Sequence, residues 1–537
     1  LFLLALFLLF FGLGFRSLWG SEDRWAEVTR EMLLFRDFFH PRINGQPYFD
    51  KPLLTYWAII PASWLAGALN ELAARLPSAV SGLVALFATM GLGRKLFGRV
   101  RALLAGALLL GSVSFLFWSR TAAADSENMA AVILAVWWYF SFRTRPGFPA
   151  YCGFYLICAL GAHFKGLTAV AVPAVAVLPD ILSGGRWKEH LSLSNAAALV
   201  LGLLVYVLPF VYAALTANGY GENGLALAFR ENLLRFFRAF DHKEPFYCYL
   251  YYVPFLFMPW IFLLAGAAWD RIRNWRGLEE GQRWIGLSVL GIFLLFTLSS
   301  SRRSYYILPI LPFLALFTAD FLIRPFSQRT RDLAVKSQAV LLAIAGLAEL
   351  STPALWPVIK AWNGFSPPPS LKLATLLTGA SALLVLAAGR TSLWKGLFSD
   401  SLYSRLTSLV LSAFVILGGF FCFQQNSLEV YRTRKPFILK LKKMIPDIPP
   451  ERIGMSKNMA GVVFYLDLPR PLVDLQQPGA LAGFLEKPGQ KVIISRKKDA
   501  GRIIPQIPPG SCRKLLAARE FSWSHRNDKG LVAWKVY

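Results

Sequence analysis

Ala196–Thr216 reads AAALVLGLLVYVLPFVYAALT, a run without a single Asp, Glu, Lys or Arg. As a helix rising 1.5 Å per residue, such a run covers about 30 Å, the hydrocarbon thickness of a bilayer. Ala102–Trp118, Tyr249–Trp269 and Leu406–Phe423 have the same character. The composition agrees: 55% of the 537 residues are hydrophobic, 15% aromatic and only 16% charged, too little polar surface for a soluble chain of this length. The pattern predicts a polytopic α-helical membrane protein with about 13 spans. They fall near 1–17, 76–92, 102–119, 126–142, 150–164, 167–183, 196–216, 249–269, 284–300, 304–322, 337–358, 371–389 and 406–424. Leu1–Phe15 is expected to be the first span and not a cleaved leader, because no small-residue cleavage site follows it.

The net charge of +26 could suggest a polyanion partner, but the basic residues do not gather on one soluble module. They sit in short loops between spans, which argues against nucleic acid and for topology signals. Arg94, Lys95, Arg99 and Arg101, then Arg143 and Arg145, Arg186 and Lys188, Arg271 to Arg283, Arg324 to Lys336, and Arg390 to Arg405 occupy alternate loops. By the positive-inside rule these loops are cytoplasmic, so the N-terminus is expected inside a plasma (inner) membrane and the C-terminus outside. The five cysteines show neither metal nor redox spacing and read as small apolar fillers.

The other loops are long. Within a membrane domain of residues 1–424, residues 18–75 and 217–248 form outer loops, and 425–537 follow as a small extracytoplasmic α/β domain. In the first loop, Glu22–Phe35 is amphipathic, with Arg24, Glu27 and Glu31 on one helical face. In the tail, Gly461–Leu466 and Lys491–Ser495 read as strands and Gly479–Glu486 as a helix.

Four outer elements combine acids with bases: Ser21-Glu22-Asp23-Arg24-Trp25-Ala26-Glu27 with Arg30-Glu31-Met32; Phe49-Asp50-Lys51-Pro52; Asp125 after Arg120-Thr121-Ala122-Ala123-Ala124; and Glu231 to Phe246 with Ser301 to Tyr306. Carboxylates can move a proton or hold a metal, whereas Arg and Lys grip phosphate. A charge at a span end is ordinarily an interface anchor whose head snorkels to water. Yet Arg24, Arg30, Lys51, Lys165, Arg235, Lys243 and Arg303 all stand on the outer side, against the positive-inside trend. That recurrence points to a bound anion.

Glu22-x-Arg24-Trp25-Ala26-Glu27-x-x-Arg30-Glu31-Met32 and Pro41-Arg42-Ile43-Asn44-Gly45-Gln46-Pro47-Tyr48-Phe49-Asp50-Lys51-Pro52-Leu53-Leu54-x-Tyr56-Trp57 closely resemble the first outer loop of the GT-C glycosyltransferases. The branch they look most like is the aminoarabinose–lipid A transferases, relatives of the protein mannosyltransferases. The likeness continues, in the family's order, at Ala124-Asp125, Lys165-Gly166, Glu231 to Phe246 and Tyr305-Tyr306-Ile307-Leu308-Pro309, covering roughly residues 1–330. Three positions depart from the family: its loop begins Asp-Glu where this chain has Ser21-Glu22, Asp50 stands where relatives have Glu, and the stretch that supplies a metal-binding His in the aminoarabinose branch reads Glu231-Asn232 here.

The resemblance implies a glycosyltransferase that moves a sugar from a polyprenyl-phosphate donor to a lipid, glycan or protein acceptor, lipid A modification being the model case. It implies Arg24, Lys51 and Arg235 around the lipid phosphate, Lys165, Arg303 and Tyr306 as further substrate contacts, and Asp125, Glu22 or Asp23 as the acid group. It also implies a divalent metal as a possible cofactor, for which Asp50 and His242 are the candidates. A transporter or flippase of a lipid-linked sugar is the alternative. Such proteins place polar groups near the midplane, where this chain offers one clear charge, Glu349.

Overall fold

The computed structural model describes residues 1–183, 185–216, 244–324, 328–363, 366–389, 401–432, 434–519 and 530–537. Its first ten helices are α1 (Phe2–Phe10), α2 (Glu22–Phe35), α3 (Leu54–Leu65), α4 (Glu71–Phe97), α5 (Arg99–Leu110), α6 (Val113–Ser119), α7 (Asp125–Phe142), α8 (Phe148–Lys165), α9 (Thr168–Ser183) and α10 (Leu193–Thr216). Every expected span position carries a helix. Among the described residues, seven helices are long and apolar enough to cross a membrane, or nine if two bent pairs each count as one span. The other expected positions fall short of that measure. α1 and α9 are shorter, and the hydropathy of α7 and α8 is diluted by Asp125, Glu127 and Asn128 and by His163 and Lys165.

The bent pairs are α5 with α6, at 68°, and Cys248–Leu256 with Ile261–Gly277, at 120°. A broken helix inside a membrane must re-satisfy the backbone groups it frees. Here the two breaks meet: the Val113 amide donates to the Met258 carbonyl at 2.8 Å, and Trp260 Nε1 donates to the Leu108 carbonyl at 2.8 Å. The axis of the bundle is Ser304–Ile323, whose apolar window is 89% buried and therefore reads as apolar on every side.

The first long loop holds α2, the hairpin β1 (Arg42–Ile43) and β2 (Gln46–Pro47), and α3. Asn44 and Gly45 turn the hairpin with φ of 56° and 71°, the left-handed region that these two residue types tolerate best. Arg24 is exposed, but Glu27 and Glu31 are buried, so the polar face expected of α2 does not face water along its length. The hairpin and the tail cover it: the Gly45 amide donates to Glu31, and Arg30 joins the Glu27 carboxylate (2.8 Å) to the Leu468 carbonyl (3.1 Å).

The last span runs on to Tyr431, beyond the boundary expected at 424. The tail then forms a five-stranded sheet in the order β4-β3-β5-β7-β6, from β3 (Ile453–Met455), β4 (Val473–Asp474), β5 (Lys491–Arg496), β6 (Cys512–Ala517) and β7 (Leu531–Val536). The segment Gly461–Leu466, expected as a strand, is part of a helix, Ala460–Leu466. β3 and β4 are parallel neighbours, and a parallel pair needs a crossover, which overrides the β-preference of Val462, Val463, Phe464 and Tyr465.

This unit does not stand apart. Phe437, Ile438, Leu441 and Tyr465 share one apolar cluster with Leu18, Ala26, Ala74 and Ala122. Polar contacts add to it: Asn44 and Leu472 exchange two hydrogen bonds of 2.8 and 2.7 Å, and the Leu18 amide donates to the Tyr465 hydroxyl at 2.8 Å.

Candidate active site

Helices α7 and α8 are antiparallel neighbours joined by a short turn, so the start of one and the end of the other meet at the same level. Asp125 opens α7 and Lys165 closes α8, the ends at which helix dipoles favour an acid and a base respectively. Gly166, at φ of 108°, reverses the chain immediately after Lys165. The two side chains form an ion pair, largely withdrawn from solvent. The Lys165 ammonium also lies 5.2 Å from the Tyr305 ring and 5.6 Å from the Tyr306 ring, within cation–π range. These tyrosines come from the short 3₁₀ turn Ser304–Ile310 that leads into the buried axial helix. Arg303 caps that turn, and its carbonyl accepts from the Tyr249 hydroxyl at 3.2 Å.

A second group comes from the first long loop. Arg24 Nη1 donates to the Tyr48 hydroxyl at 2.7 Å, and Lys51 Nζ donates to the Asp50 carbonyl at 3.0 Å. Burial, with Asp50 nearby, pushes the Tyr48 hydroxyl up to about 12, so it stays a neutral donor and acceptor. Among the described residues Arg24 makes no ion pair, and it is exposed. The two groups lie around one apolar cluster. Trp25, Phe49 and Ala124, the chain neighbours of Arg24, Asp50 and Asp125, belong to it, and Phe164, beside Lys165, packs against it.

The structure gives Glu22 a bracing set of contacts. Its carboxylate has no exposed surface and accepts both Nε (2.7 Å) and Nη2 (2.8 Å) of Arg75, together with the amides of Trp19 (2.9 Å) and Ala122 (3.0 Å). Burial pushes this carboxyl up, but the Arg75 fork, Arg16 and the Ala122 amide outweigh it and hold it below the ordinary range. Asp23 is also buried and pairs with Arg434 of the tail, while its Oδ1 makes no hydrogen bond. Burial raises Asp23 to about 6, with Arg434 pulling the other way.

Arg235 and His242 lie outside the described residues. Among the described residues, no three His, Cys, Asp or Glu side chains stand together to hold a metal ion. Asp50 has the Tyr48 hydroxyl and Lys51 as its neighbours, a setting suited to an anion more than to a cation. Sequence reasoning also passed over Glu127. It is buried two residues after Asp125, accepts from Ser78 Oγ at 2.9 Å and leaves Oε2 without a hydrogen bond. The signal available was the polar run Asp125-Ser126-Glu127-Asn128 at the head of an apolar span.

The family model described as dolichyl-phosphate-mannose-protein mannosyltransferase matches residues 50–213. The undecaprenyl phosphate-alpha-4-amino-4-deoxy-L-arabinose arabinosyl transferase of Edwardsiella ictaluri is 30% identical over 352 residues, 62% of this chain and 61% of the relative; the match thus spans about three fifths of that protein. Among solved structures, ArnT from Cupriavidus metallidurans bound to undecaprenyl phosphate superposes with a TM-score of 0.76 at 20% identity, over 99% of this chain and 97% of that one. The oligosaccharyltransferase of Archaeoglobus fulgidus in its apo form gives a TM-score of 0.52 at 12% identity, over 93% and 69%. The chain is thus a multi-pass membrane protein of GT-C fold that resembles the aminoarabinose transferases in sequence and in architecture.

Proposed function

We propose that this chain is a glycosyltransferase that takes a sugar from an undecaprenyl-type polyprenyl phosphate and passes it to a lipid, glycan or protein acceptor at the outer face of the inner membrane. The observation that carries the reading is the grouping of Arg24, Tyr48 and Lys51 with the Asp125–Lys165 pair around one apolar cluster. Supporting it, the relative from Edwardsiella ictaluri is named for transfer from an undecaprenyl phosphate donor, and the Cupriavidus structure is titled as bound to undecaprenyl phosphate.

In this reading Arg24 and Lys51 hold the carrier phosphate, with Arg235 as a third cation. Their charge stabilises the negative charge that grows on the phosphate as the anomeric C–O bond breaks. The acceptor oxygen forms the new bond from the opposite face, so the anomeric centre inverts. With a hydroxyl acceptor, its proton passes to Asp125, which the ion pair with Lys165 aims. With a phosphate acceptor no proton moves, and the same pair only positions groups. Tyr305 and Tyr306 fix Lys165 through their ring faces and wall the site on the bundle side. The lipid tail enters sideways between spans, which is why the site needs a membrane. The basic loops are cytoplasmic, and the long loops and the tail are outside.

Reconstituted protein given a labelled polyprenyl-phosphate sugar and an acceptor extract should yield labelled acceptor, and Lys51→Ala and Arg24→Ala should each abolish it without unfolding the protein. Retained turnover in both variants sinks the assignment, and movement of the donor across the bilayer without transfer supports the flippase.

A further inference from the structure

The C-terminal unit touches the first long loop beside its phosphate-binding end. Arg434 opens the helix Arg434–Met444 and donates Nη1 to Oδ2 of Asp23, the residue immediately before Arg24 in the first turn of α2. Gly461 of the same unit backs that carboxylate so closely that a Cβ there would collide with Asp23 Oδ2. At the other end of the loop, Glu71 accepts from Lys435 and, at 3.0 Å, from the Tyr465 hydroxyl.

These contacts differ in what they can do for stability. The unit is anchored by an apolar cluster, and the Glu71 contacts sit at the buried head of a long helix. The Arg434–Asp23 pair is one-sided: the Arg434 side chain is 46% exposed, whereas the Asp23 carboxylate is buried. Asp23, in turn, buries a carboxylate oxygen without a hydrogen bond, a costly arrangement that stability alone does not explain.

We propose that Arg434 is a positioning residue: through Asp23, it sets the first turn of α2 and so the direction in which Arg24 meets the lipid phosphate. The inference rests on the transferase reading above and deepens it. Arg434 touches no substrate; it acts by fixing a neighbour of a group that does. A soluble unit appended after the last span thereby forms part of the membrane active site.

The test uses the full-length protein in lipid nanodiscs, with a labelled polyprenyl-phosphate sugar, comparing Arg434→Ala, Arg434→Lys, Asp23→Asn and the Asp23→Asn/Arg434→Ala double variant. Arg434→Ala should lower kcat/KM about tenfold, chiefly by raising KM for the donor, and by more than any accompanying fall in the melting midpoint accounts for. Arg434→Lys should recover most of the loss, and the double variant should be no worse than the more damaged single one. An unchanged donor KM in Arg434→Ala overturns the inference, as do additive losses in the double variant or a loss that only follows melting. If the wild-type protein transfers nothing, the transferase reading falls and this inference with it; normal transfer by wild type and variants alike overturns the inference alone.

Discussion

Two polar regions at opposite ends of the bundle invite comparison. At the basic-loop end, Asp320 is fully buried and meets Arg271 at 2.9 Å, Arg324, Arg101 at 3.5 Å and the Gln282 amide at 3.2 Å. Arg324 also bonds Asp270 at 2.9 Å, so one network ties the end of the axial helix to three neighbouring helices. At the long-loop end, among the described residues, Asp125 pairs with Lys165, which has two aromatic faces beside it, and Arg24 is exposed and donates to the Tyr48 hydroxyl. The first region is rich in mutual charge compensation and closed to water. The second, among the described residues, leaves Arg24 beside solvent without an ion pair. Acids and bases of the same kinds thus form a closed network at one end and a more open group at the other.

The largest effect should come from the closed end. Asp320→Asn leaves buried guanidinium groups without their counter-charge, and breaking a buried pair in this way costs about 3–5 kcal/mol. Thermal melting in detergent should show a large fall in midpoint, while the folded fraction retains its specific activity; a loss of activity without destabilisation would break the comparison. At the open end the pattern reverses. Lys51→Ala should reduce transfer by about 100-fold or more with little change in melting, since removing a preorganised charge acts on the transition state. A melting loss as large as that of Asp320→Asn would show the open cluster to be another brace.

Smaller effects sharpen the contrast. Tyr305→Leu removes one ring from Lys165, an interaction worth about 1 kcal/mol, and should lower kcat/KM about fivefold. Tyr305→Phe, which keeps the ring face, should sit near wild type. The smallest effect concerns pH. Glu22 is held below its ordinary value, so its contribution to stability is complete above about 4.5 and is lost as the pH falls through its lower folded value. The melting midpoint should therefore drop on acidification below that range, and Glu22→Gln should weaken the slope while starting from a lower plateau. An equal slope in both proteins would remove Glu22 from the set of bracing carboxylates.

The braced role of Glu22 also shows where sequence reading reaches its limit. In the motif Ser21-Glu22-Asp23-Arg24, three charged groups look alike as candidates. Their fates diverge because Arg75, fifty-three positions away, encloses Glu22, and Arg434, more than four hundred positions away, captures Asp23. Only Arg24 keeps its guanidinium toward solvent. The partner that decides each role is distant in sequence and so carries no local signal. The same holds for Gly461–Leu466: its β-branched and aromatic residues favour a strand locally, and only the parallel pairing of β3 with β4 and β5 demands a helix there.

What the sequence determined by itself is the polytopic helical membrane fold. Long apolar runs have one physical outcome in a bilayer, since only helices satisfy their own backbone there, and the basic loops and motif residues lie along the chain in plain order. What the tertiary structure alone decided is which charges are spent on each other and which stay beside solvent. Charge pairing acts over a few ångströms of space and is indifferent to separation along the chain, so the division between bracing and working residues appears only once the helices and the tail have come together.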